Sequence, residues 1–145
     1  MSKFGKAFWI GLAILTMVGV FTLPPLSSPA AAKDLTIGAI FPLSGRGATW
    51  GMAAQKAITV KQKEVNARGG LKVGADVYKL EILWEDDKYN AAAGRMAAEK
   101  LVNRDRVKFI LGSQSSAVIL AVQPITEPNK ILLLVNSYAR EVLAP

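Results

Sequence analysis

The stretch Gly112, Ser113, Gln114, Ser115, Ser116 offers three serine hydroxyls, a side-chain amide and a run of backbone N–H groups just ahead of an apolar, helix-like segment. A helix N-terminus leaves its first N–H groups unpaired and carries partial positive charge, so this pattern suits a carboxylate or another anion. The serines can equally act as caps of that helix, Ser116 above all, and on sequence both readings stand. Trp50 lies where a polar, glycine-containing loop passes into a second helical segment. There it is either a core residue or an aromatic wall covering an apolar ligand group. Asp86 and Asp87 end a strand-like run. Such a pair can hold a metal or work as acid and base, but adjacent carboxylates at a strand end read more simply as a solvated turn and helix start.

Other chemistries are removed by composition. The chain of 145 residues has neither cysteine nor histidine, which takes away disulfides, the usual zinc ligands and any histidine-based triad, so a non-enzymatic protein without metal or cofactor is expected. Gly45, Gly47 and Gly51 stand between a strand and a helix, but their spacing is one residue longer than the dinucleotide fingerprint, and Trp50 would crowd a pyrophosphate. From Lys33 onward 16 basic and 11 acidic side chains leave a net charge of +5, with the basic residues scattered singly rather than gathered in a stripe. That distribution describes a solvated surface and excludes a nucleic-acid groove.

The elements that must position these residues follow from periodicity. Leu35–Phe41 is a short apolar run of the kind buried on both faces of a parallel sheet, Tyr78–Trp84 is a second strand, Val107–Leu111 a third, and Ile131–Val135 a fourth. Between them, Trp50, Ala53, Ala54, Ala57 and Ile58 predict one face of a helix that Gly69 and Gly70 end. Ala93, Met96, Ala97 and Leu101 predict the buried stripe of a second helix, and a third runs from Ser116 through Val122 to end near Pro124. Four strands alternating with three helices predict an α/β, doubly wound parallel sheet. In such sheets ligands bind beyond the carboxyl ends of the strands, which singles out the loops Pro42–Thr49, Gly112–Ser116 and Asn136–Arg140.

Ahead of this domain stand Lys3 and Lys6, an uncharged run Ala7–Leu23, and a breaker region closing on Ala30, Ala31 and Ala32. This is the three-part layout of a cleaved signal peptide, residues 1–32, although the apolar run also approaches the length of a membrane anchor. Residues 33–145 then form an exported domain, periplasmic or extracellular. The chain ends shortly after the fourth strand, where a doubly wound sheet would continue, so an incomplete lobe is expected.

In IGAIFPLSG (37–45), Trp50 with Gly51, VNARGG (65–70), the acidic strand end Glu85–Asp87 and GSQSSAVILAVQP (112–124), the sequence resembles the periplasmic binding proteins for branched-chain amino acids, the Leu/Ile/Val-binding receptors of ABC importers. The resemblance covers nearly everything from Leu35 onward. It implies the first lobe of a two-lobed, venus-flytrap receptor that closes on a small ligand, an amino acid or a related carboxylate or amide, and hands it to a membrane permease. In that pattern Ser116 holds the carboxylate with Gln114 and Ser115 beside it, Trp50 lines the pocket, and Ser137, Tyr138 and Ala139 form the next contact region. Ala139 stands where a threonine often helps to bind the ligand's amino group, and Tyr138 replaces a small residue. A sensor domain of the same fold is the alternative.

Overall fold

The computed structural model describes residues 32–143; the expected signal peptide, all but its last residue Ala32, lies outside the described residues. Five strands form one sheet: β1 (Lys33–Phe41), β2 (Leu71–Val73), β3 (Asp76–Asp86), β4 (Phe109–Gly112) and β5 (Leu132–Leu134), in the order β2-β3-β1-β4-β5. β1 pairs in parallel with β3 and β4, and β4 with β5, whereas β2 pairs antiparallel with β3. The sheet is therefore mixed at one edge and not wholly parallel. The addition is a hairpin, β2 turning through Gly74 and Ala75 into β3, and it lengthens β3 upstream of the expected start at Tyr78.

The chain steps from β1 to β3 on one side and then back across to β4 on the other. Strand order thus reverses at β1. Because each parallel crossover is right-handed, the reversal sends α1 (Ala48–Ala67) to one face of the sheet and α2 (Ala91–Glu99) to the other. α3 (Ser116–Thr126) packs against α2. In open α/β sheets a ligand crevice lies at the carboxyl ends of the strands flanking such a reversal, here β1 and β4.

The core lies beneath α2 and α3. Ile40 and Ile110 from the central strands meet Ala98, Leu101, Val118 and Val122 from the helices, with Val107 and Ile131 closing its rim. Leu101 and Val102 belong to a wide turn, Lys100–Arg104, that continues α2. Burial of this kind contributes about 25 cal/mol per Å² of apolar surface.

Two predicted helix faces are displaced. On α2 the predicted stripe holds at Ala97 and, beyond it, Leu101, but Met96 is 69% exposed and Gly94 and Ala98 are buried in its place. A Cβ on Gly94 would lie 2.3 Å from a methyl of Val118, so only glycine allows α2 and α3 to approach this closely. On α1 Trp50, Ala53 and Ala57 face outward, and Gly51 is the buried residue. Farther along, α1 docks through polar groups. Beyond Tyr78 one side of β3 has no strand partner, and the side chains of Gln62 and Asn66 bond the Leu80 carbonyl at 3.0 and 2.9 Å, while Asn66 Oδ1 accepts the Leu80 N–H. Asn66 thereby does for Leu80 what a neighbouring strand would do.

Candidate functional site

Three loops meet at the carboxyl edge of the sheet, and the two carboxylates at the end of β3 hold them there. Asp86 Oδ1 accepts the backbone N–H groups of Leu43 at 2.8 Å, Ser44 at 3.3 Å and Lys88 at 2.9 Å, and its Oδ2 accepts the Ser44 hydroxyl at 2.5 Å. The loop after β1 is thus folded onto the end of β3. Asp87, with 0% of its surface exposed, reaches the other way. Its Oδ2 accepts the Ser113 hydroxyl at 2.5 Å, its Oδ1 the Tyr89 N–H at 2.7 Å, and its own N–H donates to the Phe41 carbonyl at 3.1 Å. Ser113 Oγ in turn accepts the Ser115 N–H at 3.3 Å. The solvated-turn expectation is therefore wrong for Asp87. Burial removed its water, and donors from two loops replace it.

The two carboxyls respond oppositely to these surroundings. Burial pushes the Asp87 carboxyl above the usual range, beyond what the Ser113 and Tyr89 donors pull back, and the Asp86 charge adds to the rise. Burial acts on Asp86 as well, but the donors of Ser44, Lys88 and Leu43 together outweigh it and hold that carboxyl below the usual range. The third acid of the run, Glu85, pairs with Lys100 and takes no part in the loops.

Above these ties lies a cleft of about 390 Å³ lined by Trp50, Tyr89, Gln114, Ser116, Asn136 and Tyr138. Four residues singled out by sequence, Trp50, Gln114, Ser116 and Tyr138, thus come together, and Tyr89 and Asn136 join them. Trp50 is 60% exposed, which rules out the core reading. Its ring lies 6.3 Å from that of Tyr89, and the Arg46 guanidinium sits 5.3 Å over the Tyr89 ring. Ser115, Ser137 and Ala139 do not line the cleft. Ser115 is buried at the N-cap position of α3, Ser137 Oγ lies 2.9 Å from Ser116 Oγ, and the Ala139 N–H donates to Ser137 Oγ at 3.2 Å. A second cleft, about 350 Å³ and bordered by Phe41, Ile58, Leu111 and Leu134, adjoins the first through Gln114 and Asn136.

Ser116 is not the helix cap that one reading made it. It is the first residue of α3, after Ser115, and no side chain caps this helix. α2 differs, since Asn90 Oδ1 accepts the N–H groups of Ala92 and Ala93. The start of α3 therefore has no internal side-chain acceptor for its N–H groups and presents the Ser116 hydroxyl beside them. Behind it Gly112, at φ +104°, brings β4 close to the Ile40 carbonyl, where a Cβ would lie 1.9 Å away. Among the described residues no group of His, Cys, Asp or Glu is placed to hold a metal ion, and no helix is long and apolar enough to cross a membrane.

Comparison with known proteins gives a family match and a set of structural neighbours. A family model described as periplasmic binding protein matches residues 34–143. The Leu/Ile/Val-binding protein BraC3 of Rhizobium johnstonii is 29% identical over 123 residues, 85% of this chain and 32% of that protein. Among solved structures, the branched-chain amino acid binding protein LivJ of Streptococcus pneumoniae, in complex with isoleucine, superposes with a TM-score of 0.64 at 25% identity, covering 72% of this chain and 30% of that one. A solute-binding protein of an ABC transporter from Rhodopseudomonas palustris, in complex with 3,4-dihydroxybenzoic acid, gives 0.61 at 25% identity, covering 70% and 26%. The chain spans about a third of the length of the curated relative.

Two outcomes are expected from the carboxylate ties. Asp87→Ala leaves the Ser113 hydroxyl and the Tyr89 N–H without acceptors, a loss of about 1–3 kcal/mol for each, read as a lowered urea midpoint; an unchanged midpoint would show that neither bond matters. A carboxyl depressed on folding, as at Asp86, adds stability above its unfolded value of 3.8 and loses it as pH falls through the folded value. The stability advantage over Asp86→Asn is accordingly full at neutral pH and shrinks below 3.8. An advantage that grows on acidification contradicts the assignment.

Proposed function

The chain belongs to the periplasmic binding protein family, and from that premise we propose that it is the first lobe of an extracytoplasmic solute receptor that delivers a small carboxylate-bearing ligand to an ABC importer. In this reading residues 1–32 are an export signal and residues 33–145 the lobe. The protein binds without catalysing. The ligand is a hydrophobic amino acid or a related acid or amide, as the name of BraC3 and the bound isoleucine and dihydroxybenzoic acid of the two structural neighbours suggest by analogy.

One observation carries the proposal. At the point where strand order reverses, an uncapped helix start, the Ser116 hydroxyl and an exposed tryptophan border the same cleft. The ligand carboxylate accepts from the Ser116 hydroxyl and the first N–H groups of α3, with the helix dipole adding to the attraction. Ser115 and Ser137 support this contact from behind, Ser137 by its bond to Ser116. Trp50 and Tyr138 cover the apolar body, and Gln114 stands beside it. Ala139 extends this support, its N–H donating to Ser137 Oγ.

Calorimetry with isoleucine and 3,4-dihydroxybenzoate as probes tests the assignment. Ser116→Ala removes a hydrogen bond to a charged group and is expected to weaken binding about 10- to 100-fold. Trp50→Ala weakens binding while moving stability by no more than about 0.5 kcal/mol, because its side chain is mostly exposed. Unchanged affinity in both variants would remove the site.

A further inference from the structure

We propose that Asp87 is a positioning residue of the solute site whose charge opposes the solute's carboxylate, so that binding draws a proton from the buffer onto this buried side chain. The inference rests on the receptor reading above and adds to it a linkage to protons.

The first observation is where the charge lies. Asp87 has 0% of its surface exposed, and among the described residues its carboxyl meets only the Ser113 hydroxyl and the Tyr89 N–H. Tyr89 lines one cleft and Ser113 the other. Ser113 Oγ accepts the Ser115 N–H, so two hydrogen bonds lead from this carboxyl to the N-cap position of α3. A solute carboxylate on the Ser116 hydroxyl and the first N–H groups of α3 therefore stands one loop away from a negative charge that water does not screen.

The second is that nothing offsets the pair. Asp87 enters no ion pair among the described residues. Of the groups around it, Asp86 adds negative charge, Glu85 is paired with Lys100, and Arg95 and Glu99 of α2 bond each other. Arg46 lies over the Tyr89 ring, and Lys88 is exposed. The end of β1, the loop after β4 and α3 itself carry no charged side chain.

Burial already raises the Asp87 carboxyl above its usual range, and a second anion at the start of α3 raises it further. A protonated carboxyl still serves both neighbours, one oxygen accepting from Tyr89 and the other donating to Ser113 Oγ. The loops thus keep their places when the charge is removed. By linkage, solute affinity is constant well above the bound-state value of this carboxyl, rises as pH falls through it, and levels off below the free-state value.

Calorimetry on the intact protein with 3,4-dihydroxybenzoate and isoleucine provides the test, from about pH 8 to about pH 5, where the probes' own carboxyls stay ionised, and in two buffers of different ionisation enthalpy. Affinity is expected to rise about 10-fold on acidification, with proton uptake over the same range. The rise is smaller for isoleucine, whose ammonium offsets part of its charge. Asp87→Asn keeps an acceptor for Tyr89 and a donor for Ser113; it is expected to bind at the acid-limit affinity throughout and to take up no proton. Ser113→Ala removes a donor that holds the carboxyl down, so the rise moves to higher pH, which the loss of a mere loop tie would not cause. Affinity without pH dependence or proton uptake overturns this inference and leaves the receptor reading standing. So does a rise that survives in Asp87→Asn, or weaker binding by that variant at every pH. If neither probe binds at any pH, the receptor reading falls and this one with it. Should Asp87→Asn fail to fold, proton uptake by the unaltered protein and the displaced profile of Ser113→Ala decide, and the absence of either overturns the inference.

Discussion

Loops have no ladder of their own, so the backbone groups at the carboxyl edge of this sheet depend on acceptors brought from elsewhere. Asp86 and Asp87 bring them. Successive side chains along an extended strand point to opposite sides, so two adjacent acids at its end can reach in two directions. Asp86 gathers Leu43 and Ser44 from the loop after β1, and Asp87 gathers Ser113 from the loop after β4. One dipeptide thus sets the relative position of the segments carrying Trp50, Tyr89 and Ser116. A charge-assisted bond is stronger than a neutral one, so each of these ties holds its loop more firmly than a hydroxyl–carbonyl pair would.

The core and the recognition edge are joined through α2 and α3. Gly94 sits against Val118, and its Cβ position would also fall 3.6 Å from Asp87 Cβ. Close approach of the two helices is therefore continuous with the burial of Asp87. That burial raises the Asp87 carboxyl and makes its donors indispensable, while the same helices fix where α3 begins. The uncapped start of α3 and the engaged Asp87 are two results of one arrangement, in which the carboxylates of the scaffold are satisfied internally while the first N–H groups of α3 have no side-chain acceptor.

The parts of the fold legible in the sequence are the short apolar strands and the glycine that ends a helix. Leu35–Phe41 and Val107–Leu111 predict β1 and β4 closely, and Gly69 and Gly70 mark the end of α1, where both adopt positive φ. β2 escapes because all three of its residues are exposed and leave no burial pattern. Apolarity places Met96 in the buried stripe of α2 and leaves Trp50 open between core and ligand wall, yet glycine permits the nearest approach, so Gly94 and Gly51 are buried where these two side chains are exposed. At the site, the serine-rich loop and Trp50 announce themselves by type and position. Asp87 does not, because the hydroxyl that satisfies it lies 26 residues away in sequence. Tyr89 was hidden for a related reason: it reaches the cleft from a left-handed conformation, φ +58°, that no residue preference would have indicated.

The central claim is that solute binds over the carboxyl edge, on the uncapped start of α3 and the aromatic faces of the neighbouring loops. Amide hydrogen exchange on the protein with and without saturating 4-hydroxybenzoate or isoleucine addresses it residue by residue. The account predicts slowed exchange at Ser116, Ala117 and Val118 and in the Asn136–Ala139 segment, with the Leu71–Asp76 hairpin at the opposite end of the sheet unchanged. Protection concentrated in that hairpin, or along the distal half of α1, with none at the start of α3, would contradict it.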